Sequence, residues 1–340
     1  MIKKNVNISV VRIISMFMIL ACHFCNEMGN KVGNALGQTF NVGVFIFIII
    51  SGYLYGKKDI DKPINWIIKR IKKIMIPVWI WVAIVNIIYL IKGTPINAVS
   101  VVSYIFNLQG WFGDTNGLEH LWFLSVIMIC YFVTPILNKL KALGTKVMLI
   151  TIILFAISII CSYIDIKVGR YIFEINLYII AYYCSFFEEK LQGISPNRIV
   201  CICLIIVSML ARVILKKYID GTVLYSNIVV LVTQSIIGFS IFELIKHLKL
   251  ENVNIKLINH FDGISYYMYI VHYIFCVGPI DILGKYGKMY WLQLVEVIVL
   301  SFICAEILNM ISNVIITAID NYESFKNRLN ERGKNGRNNR

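Results

Sequence analysis

Arginine, histidine and glutamate stand inside long apolar runs of this chain, and they are the first candidates for chemistry. The run RIISMFMILACHF, Arg12 to Phe24, carries a guanidinium near one end and an imidazole near the other. An ionisable side chain at membrane depth costs about 3 kcal/mol or more, so such residues are functional candidates by default. Eleven residues separate Arg12 from His23. Eleven steps of 100° return a helix to within about 20° of the same face, roughly 16 Å further along the axis. Both side chains therefore address one seam of a helix bundle, at different depths. Either the pair is functional, or Arg12 snorkels to the inner interface and His23 satisfies a buried carbonyl. Glu27 follows His23 by one turn and is placed to orient its ring.

Other polar residues fall in similar surroundings. His272 sits near the middle of SYYMYIVHYIF, where an imidazole either takes part in chemistry or bridges helices. Glu174 and Arg212 fall near the same end of their apolar runs and are expected to pair. Glu296 and Glu306 do not share a face, which suits a proton path better than a paired-carboxylate site. The stretch KRIKKIMIP gathers Lys69, Arg70, Lys72 and Lys73, expected in a loop. It reads as an orientation signal that contacts lipid phosphate, or as a site for a phosphorylated ligand. The nine cysteines are scattered through apolar runs without zinc-site spacing, so they read as small hydrophobes and no metal is expected.

The elements that must position these residues are membrane helices. The chain has 340 residues, 58% hydrophobic and 15% charged, with a mean hydropathy of +0.73. Apolar runs of spanning length, about 17–25 residues, fall at 6–28, 39–56, 74–92, 120–138, 147–164, 170–187, 199–217, 225–245, 263–281 and 289–318. The sequence thus predicts an all-α, polytopic membrane helix bundle of about ten spans. The segment 96–108 reads as interfacial or re-entrant. With the N-terminus inside, the cytoplasmic segments hold 23 Lys and Arg and the outer loops 8. This bias places both termini in the cytoplasm. It also explains the net charge of +14 without nucleic acid. Residues 1–320 form the membrane domain, and 321–340 a basic tail expected to be disordered. The N-terminal stretch also has the look of a cleavable signal peptide; its Arg12 and His23 favour retention.

Five motifs in order resemble those of the acyltransferase-3 family of membrane acyltransferases. They are Arg12-x10-His23; FIFIIISGYLYG at 45–56; KRIKKIMIPVW at 69–79; HLWFL at 120–124; and YYMYIVHYIF at 266–275. The resemblance covers about residues 6–315. Two positions depart from the family pattern. Its Arg-x-x-Arg motif reads Arg70-x-x-Lys73 here, which keeps the charge but loses a bidentate fork. Val11 stands where a polar or acidic residue often precedes the arginine.

The resemblance implies transfer of an acyl group, usually acetyl, from cytoplasmic acyl-CoA to a hydroxyl of a cell-surface polysaccharide or lipid-linked sugar. Acetyl-CoA is then a co-substrate, with no tightly bound cofactor, and the protein belongs in the cell membrane. It implies His23 and Arg12 as catalytic residues and Lys69, Arg70, Lys72 and Lys73 as the binding group for the CoA head. Candidate site-lining residues are Glu27, Ser51, His120, Trp122, Glu174, Arg212 and His272. Trp111 and Asp114, in the stretch 107–120, are candidate sugar contacts, although the sequence favours an interfacial aromatic anchor for Trp111. Two other classes fit the buried polar residues: a proton-coupled secondary transporter, and a membrane sensor or structural subunit. No repeat between the two halves supports the transporter.

Overall fold

In hydrocarbon every backbone N–H and C=O must be satisfied within the chain, which long apolar segments achieve as helices. The computed structural model describes residues 5–112, 115, 117–188, 197–250, 253–283 and 289–338, without the side chains of 145 and 327–338. Among the described residues all regular structure is helical. In chain order the α-helices are α1 (Val6–Glu27), α2 (Lys31–Phe40), α3 (Gly43–Gly56), α4 (Pro63–Ile91), α5 (Ala98–Ile105) and α6 (Gln109–Phe112). Then follow α7 (Trp122–Leu140), α8 (Val147–Ile164), α9 (Ile166–Phe186), α10 (Arg198–Ile219), α11 (Val230–Lys246), α12 (Ile255–Val271) and α13 (Tyr290–Asn338). Tight helical turns at Glu119–Leu121 and His272–Phe275 lead into α7 and out of α12.

Among the described residues, eight segments are long and apolar enough to cross a membrane: Val6–Glu27, Lys31–Gly56, Pro63–Ile91, Glu119–Gly144, Val147–Ile164, Arg198–Ile219, Tyr225–Lys246 and Tyr290–Lys326. The protein is thus a multi-pass membrane protein. The predicted runs at 170–187 and 263–281, which would make ten, coincide with α9 and with α12 and the turn after it. α9 carries Lys167, Arg170 and Glu174, and α12 has 17 residues with Asp262 among them. α9 lies against α3, α7 and α8, and α12 against α1, α4 and α13. A helix enclosed by other helices needs no continuous apolar face toward lipid, so both can carry charge.

Other boundaries also differ from expectation. The second span begins at Lys31 because α2 and α3 join end to end at Asn41–Val42. Lys69, Arg70, Lys72 and Lys73 lie on a helix rather than in a loop. That helix, α4, starts at Pro63, where the missing N–H costs nothing. The 96–108 segment forms the short α5 and the turn after it. At the far end, α13 continues as helix to Asn338, through most of the stretch expected to be a disordered tail. Two of its acids, Asp320 and Glu323, hold Lys72 of α4 at 2.8 and 2.6 Å.

α3 lies in the middle, with ten of its 14 residues buried. Gly52 and Gly56, four residues apart, face α9. A Cβ on either would overlap the backbone carbonyl of Tyr178 or Tyr182. Small residues at this spacing let membrane helices approach closely. The start of α1 is fixed by Asn7, whose amide donates to the carbonyls of Ile245, Lys246 and Leu248 at 2.8–3.0 Å. They lie at and just past the C-terminal end of α11, where helix carbonyls have spare acceptor capacity. Of the cysteines, Cys22, Cys25, Cys130, Cys201 and Cys276 are buried, whereas Cys184 and Cys203 are exposed on apolar helix faces.

Candidate active site

α1 carries both ends of the site. Ser9 and Arg12, three residues apart, point together at α12. There Arg12 Nη1 donates to Asp262 Oδ1 at 2.6 Å, and Ser9 Oγ donates to Oδ2 at 2.9 Å. The Asp262 side chain is fully buried and Arg12 is 26% exposed. A carboxylate taken out of water needs a cation and hydrogen bonds together, and α1 supplies both. Tyr55, near the end of α3, lies in the field of both Arg12 and Arg70.

At the other end of α1, His23 meets His120 and His272. Ring centroids are 5.4 Å apart for His23 and His272, 6.2 Å for His23 and His120, and 5.0 Å for His120 and His272. Tyr273 packs edge-on to His23 at 4.6 Å. His120 Nε2 lies 2.9 Å from the Tyr269 carbonyl and 3.2 Å from that of Ile270. His272 Nδ1 lies 2.8 Å from the same Tyr269 carbonyl and 3.2 Å from that of Met268. A carbonyl can only accept, so each of these nitrogens carries the proton and donates it. The opposite nitrogens, His120 Nδ1 and His272 Nε2, are left as bare acceptors, buried and without a hydrogen-bond partner among the described residues. The backbone at the end of α12 thereby sets the tautomer of two imidazoles beside a third.

Local structure explains this placement. His120 lies in the turn before α7, and the Tyr269 hydroxyl donates to its carbonyl at 2.5 Å. Gln109 Nε2 donates to the Leu121 carbonyl at 2.8 Å, and Asn107 Nδ2 to that of Leu124 at 3.0 Å. Asn107 adopts φ +59°, a left-handed conformation that asparagine tolerates better than most residues. His272 marks the point where α12 gives way to a tight turn, and its ring takes over the last carbonyls of the helix.

A cavity of about 170 Å³ opens onto this cluster. It is lined by His23, His120, Trp122, Tyr269, Asn26 and Arg170, among others. Arg170, the first residue of the predicted run 170–187, is new to the site. Its Nε donates to Glu174 Oε1 at 3.0 Å, one turn along α9, and its Cζ stands 4.9 Å from the Trp122 ring centre.

Several expectations change. Glu174 pairs with Arg170 and not with Arg212, because Arg170 is on the same helix face four residues earlier. Arg212 donates instead to Gln38 Oε1 at 3.1 Å, away from the histidines. Glu27 is exposed at the end of α1 and makes no hydrogen bond with His23 among the described residues. Ser51 lies beside Tyr131, in the Tyr55–Tyr131–Trp66 cluster. Arg70 lies over this cluster, 5.0 Å from Tyr55 and 5.3 Å from Trp66. Lys69 and Lys73 are exposed beside it. Glu306 pairs with His260 at 2.6 Å, and Trp111 packs on Tyr171 at 4.8 Å. Asp114 lies outside the described residues. The described residues hold no His, Cys, Asp and Glu grouping suited to a metal.

The model of the acyltransferase-3 family, described as an acyltransferase domain, matches residues 5–310. The chain belongs to the acyltransferase-3 family. No match to it is found among the curated proteins or the solved structures. Membership implies acyltransferase activity, with an acyl donor and an acceptor as substrates, and selects the enzyme over the transporter and sensor readings. The five motifs quoted from the sequence all lie within the matched range, and three of them supply the histidine cluster.

The acyltransferase also contains a larger cavity, about 680 Å³, between α3, α8, α9, α10 and α11. Its walls are mostly apolar, and its charged groups, among them Glu188 and Lys246, sit at one end. The smaller cavity is the one that holds His23. Sequence reasoning missed Asp262, Arg170, Tyr269 and Tyr273. Asp262 and Arg170 carried a usable signal, a charge beside or within an apolar run; nothing in the sequence pointed to the shared Tyr269 carbonyl.

Proposed function

We propose that this acyltransferase moves an acetyl group from cytoplasmic acetyl-CoA to a hydroxyl of a cell-surface polysaccharide or lipid-linked sugar. In this reading it sits in the cell membrane with ten crossings, α9 and α12 completing the eight apolar ones. Both termini then face the cytoplasm, which the charge bias between loops favours. The observation that carries the reading is the arrangement along α1. Arg12, near Tyr55 and the basic start of α4, stands at one end, and His23, among two tautomer-fixed imidazoles and open to a cavity, stands at the other.

The chemistry follows from that layout. Arg70 and Lys73, with Lys69, receive the phosphates of CoA at the inner end. Lys72 contributes less, since Asp320 and Glu323 already neutralise it. Arg12, with one nitrogen committed to Asp262, steadies the pantetheine arm with its remaining donors. The thioester then lies near His23. The His23 ring takes the proton from the acceptor hydroxyl as its oxygen attacks the thioester carbonyl. Collapse of the tetrahedral intermediate expels the CoA thiolate, which recovers that proton from the imidazolium. His120 and His272 keep His23 in place and offer their bare nitrogens to hydrogens in the site.

Inverted membrane vesicles supplied with labelled acetyl-CoA test this. Label is expected in lipid-linked or surface glycan, and His23→Ala should lower incorporation by about 100-fold or more while still reaching the membrane. Arg70→Ala/Lys73→Ala should raise half-saturating acetyl-CoA by about tenfold or more. Normal transfer by His23→Ala removes its assigned role. Unchanged half-saturation in the double variant reduces the basic residues to an orientation signal.

A further inference from the structure

Acyl transfer creates a charge that none of the residues proposed above holds. When a hydroxyl oxygen attacks a thioester, the carbonyl π pair moves onto oxygen, and the resulting oxyanion needs a donor already in position. Among the described residues lining the His23 cavity, Arg170 is the charged one. We propose that Arg170 is the oxyanion-binding residue of this site, an inference that rests on the acyl-CoA reading above. Its Nη groups hold the acyl oxygen while His23 removes the acceptor proton. As the C–S bond breaks, the electron pair returns to re-form the carbonyl and the guanidinium is released.

Three observations support this. First, Arg170 is held from two sides. Glu174 takes Nε at 3.0 Å and Trp122 lies beneath the guanidinium at 4.9 Å. Nε is the one nitrogen that the Nη fork can spare, so the pair orients the fork without consuming it. Second, the Glu174 side chain is fully buried, while Arg170 is 33% exposed. Glu174 Oε2 has no hydrogen-bond partner among the described residues. A buried carboxylate with one oxygen unsatisfied depends on its cation, so Arg170 cannot swing away without stranding it. Third, the pair sits on α9, a helix packed inside the bundle, where charge is costly to keep and hence a functional candidate. Preorganised, partly desolvated and beside the base is what an oxyanion donor requires. Glu174 is then a positioning residue.

The test must separate chemistry from folding. Arg170→Gln alone strands Glu174, so the informative variants are Arg170→Lys, Glu174→Gln and Arg170→Gln/Glu174→Gln, the last removing both charges together. Labelled acetyl transfer is followed in inverted vesicles across a range of acetyl-CoA concentrations, with His23→Ala alongside. The double variant should lose about 100-fold or more in maximal rate, with half-saturating acetyl-CoA unchanged. Arg170→Lys keeps the charge without the fork and should fall between the double variant and the native protein. Glu174→Gln, which leaves an oxygen for Nε, should lose least. Transfer by the double variant close to the native rate, or a change confined to half-saturation, overturns the assignment of Arg170. If His23→Ala is inactive in the same experiment, the acyl-CoA reading survives that failure. If the native protein transfers no label, both fall together. Should the double variant not reach the membrane, Arg170→Lys decides alone, and native-rate transfer by it refutes the inference.

Discussion

Replacing Arg12 with methionine should destabilise the protein by about 3 kcal/mol. Removing one partner of a buried ion pair costs roughly 3–5 kcal/mol, because the other charge stays buried and uncompensated. Asp262 fits that case, with a fully buried side chain and a 2.6 Å contact to Arg12. The value lies at the low end because Arg12 is 26% exposed, so part of the attraction is already screened by solvent. Asp262→Leu should cost less, since a lone arginine on a long stem can reach polar surroundings. Arg12→Met/Asp262→Leu should return close to native stability, as replacing both charges by apolar groups often does. Denaturant unfolding in mixed micelles, followed by tryptophan fluorescence, closes this double-mutant cycle. The double variant also separates packing from chemistry. If Arg12 steadies the donor, acetyl transfer stays impaired after stability is restored. Arg12→Met within about 1 kcal/mol of native, or a double variant as unstable as Arg12→Met, would refute the pairing argument.

Two further outcomes are expected. Gly56→Ala should cost about 1–3 kcal/mol, because the added methyl meets the Tyr182 carbonyl where α3 and α9 touch; unchanged thermal stability would show that the helices are not so close. Burial raises the Glu188 carboxyl, but hydrogen bonds from Lys246, Lys57 and Tyr53 outweigh it and hold it at about 2. Its stabilising effect is therefore full above the ordinary carboxylate value, about 4.3, and is lost as pH falls from there through about 2. Glu188→Gln should lower the melting temperature at pH 6, with the difference closing toward pH 2. A difference that stays constant with pH would mean the carboxylate is not acting through its charge.

Much of the framework was legible in the sequence because it depends on short-range pattern. Apolar runs marked the eight spans, although the polar residues of α9 and the short length of α12 left those two short of the same standard. Arg12 and His23 were placed on one face by helical period alone, and the structure keeps them there. Boundaries failed where local cues competed. The basic residues at 69–73 resembled a loop by charge, but Pro63 starts the helix well before them. Past residue 320 the helix α13 continues, and Glu323 reaches Lys72. Glu27 was assigned to His23 from spacing alone, but it points to the exposed end of α1.

The sequence by itself determined the solvent of this protein, its helical class, the shared face of Arg12 and His23, and, through five motifs, its family. Only the tertiary structure decided what each of those side chains meets. That Asp262 receives Arg12, that His120 and His272 share the Tyr269 carbonyl, and that Arg170 enters the His23 cavity all depend on how helices are rotated and staggered against one another. Helical period sets directions within one helix. It carries nothing about the neighbouring helix, whose rotation is set by the packing of many side chains at once.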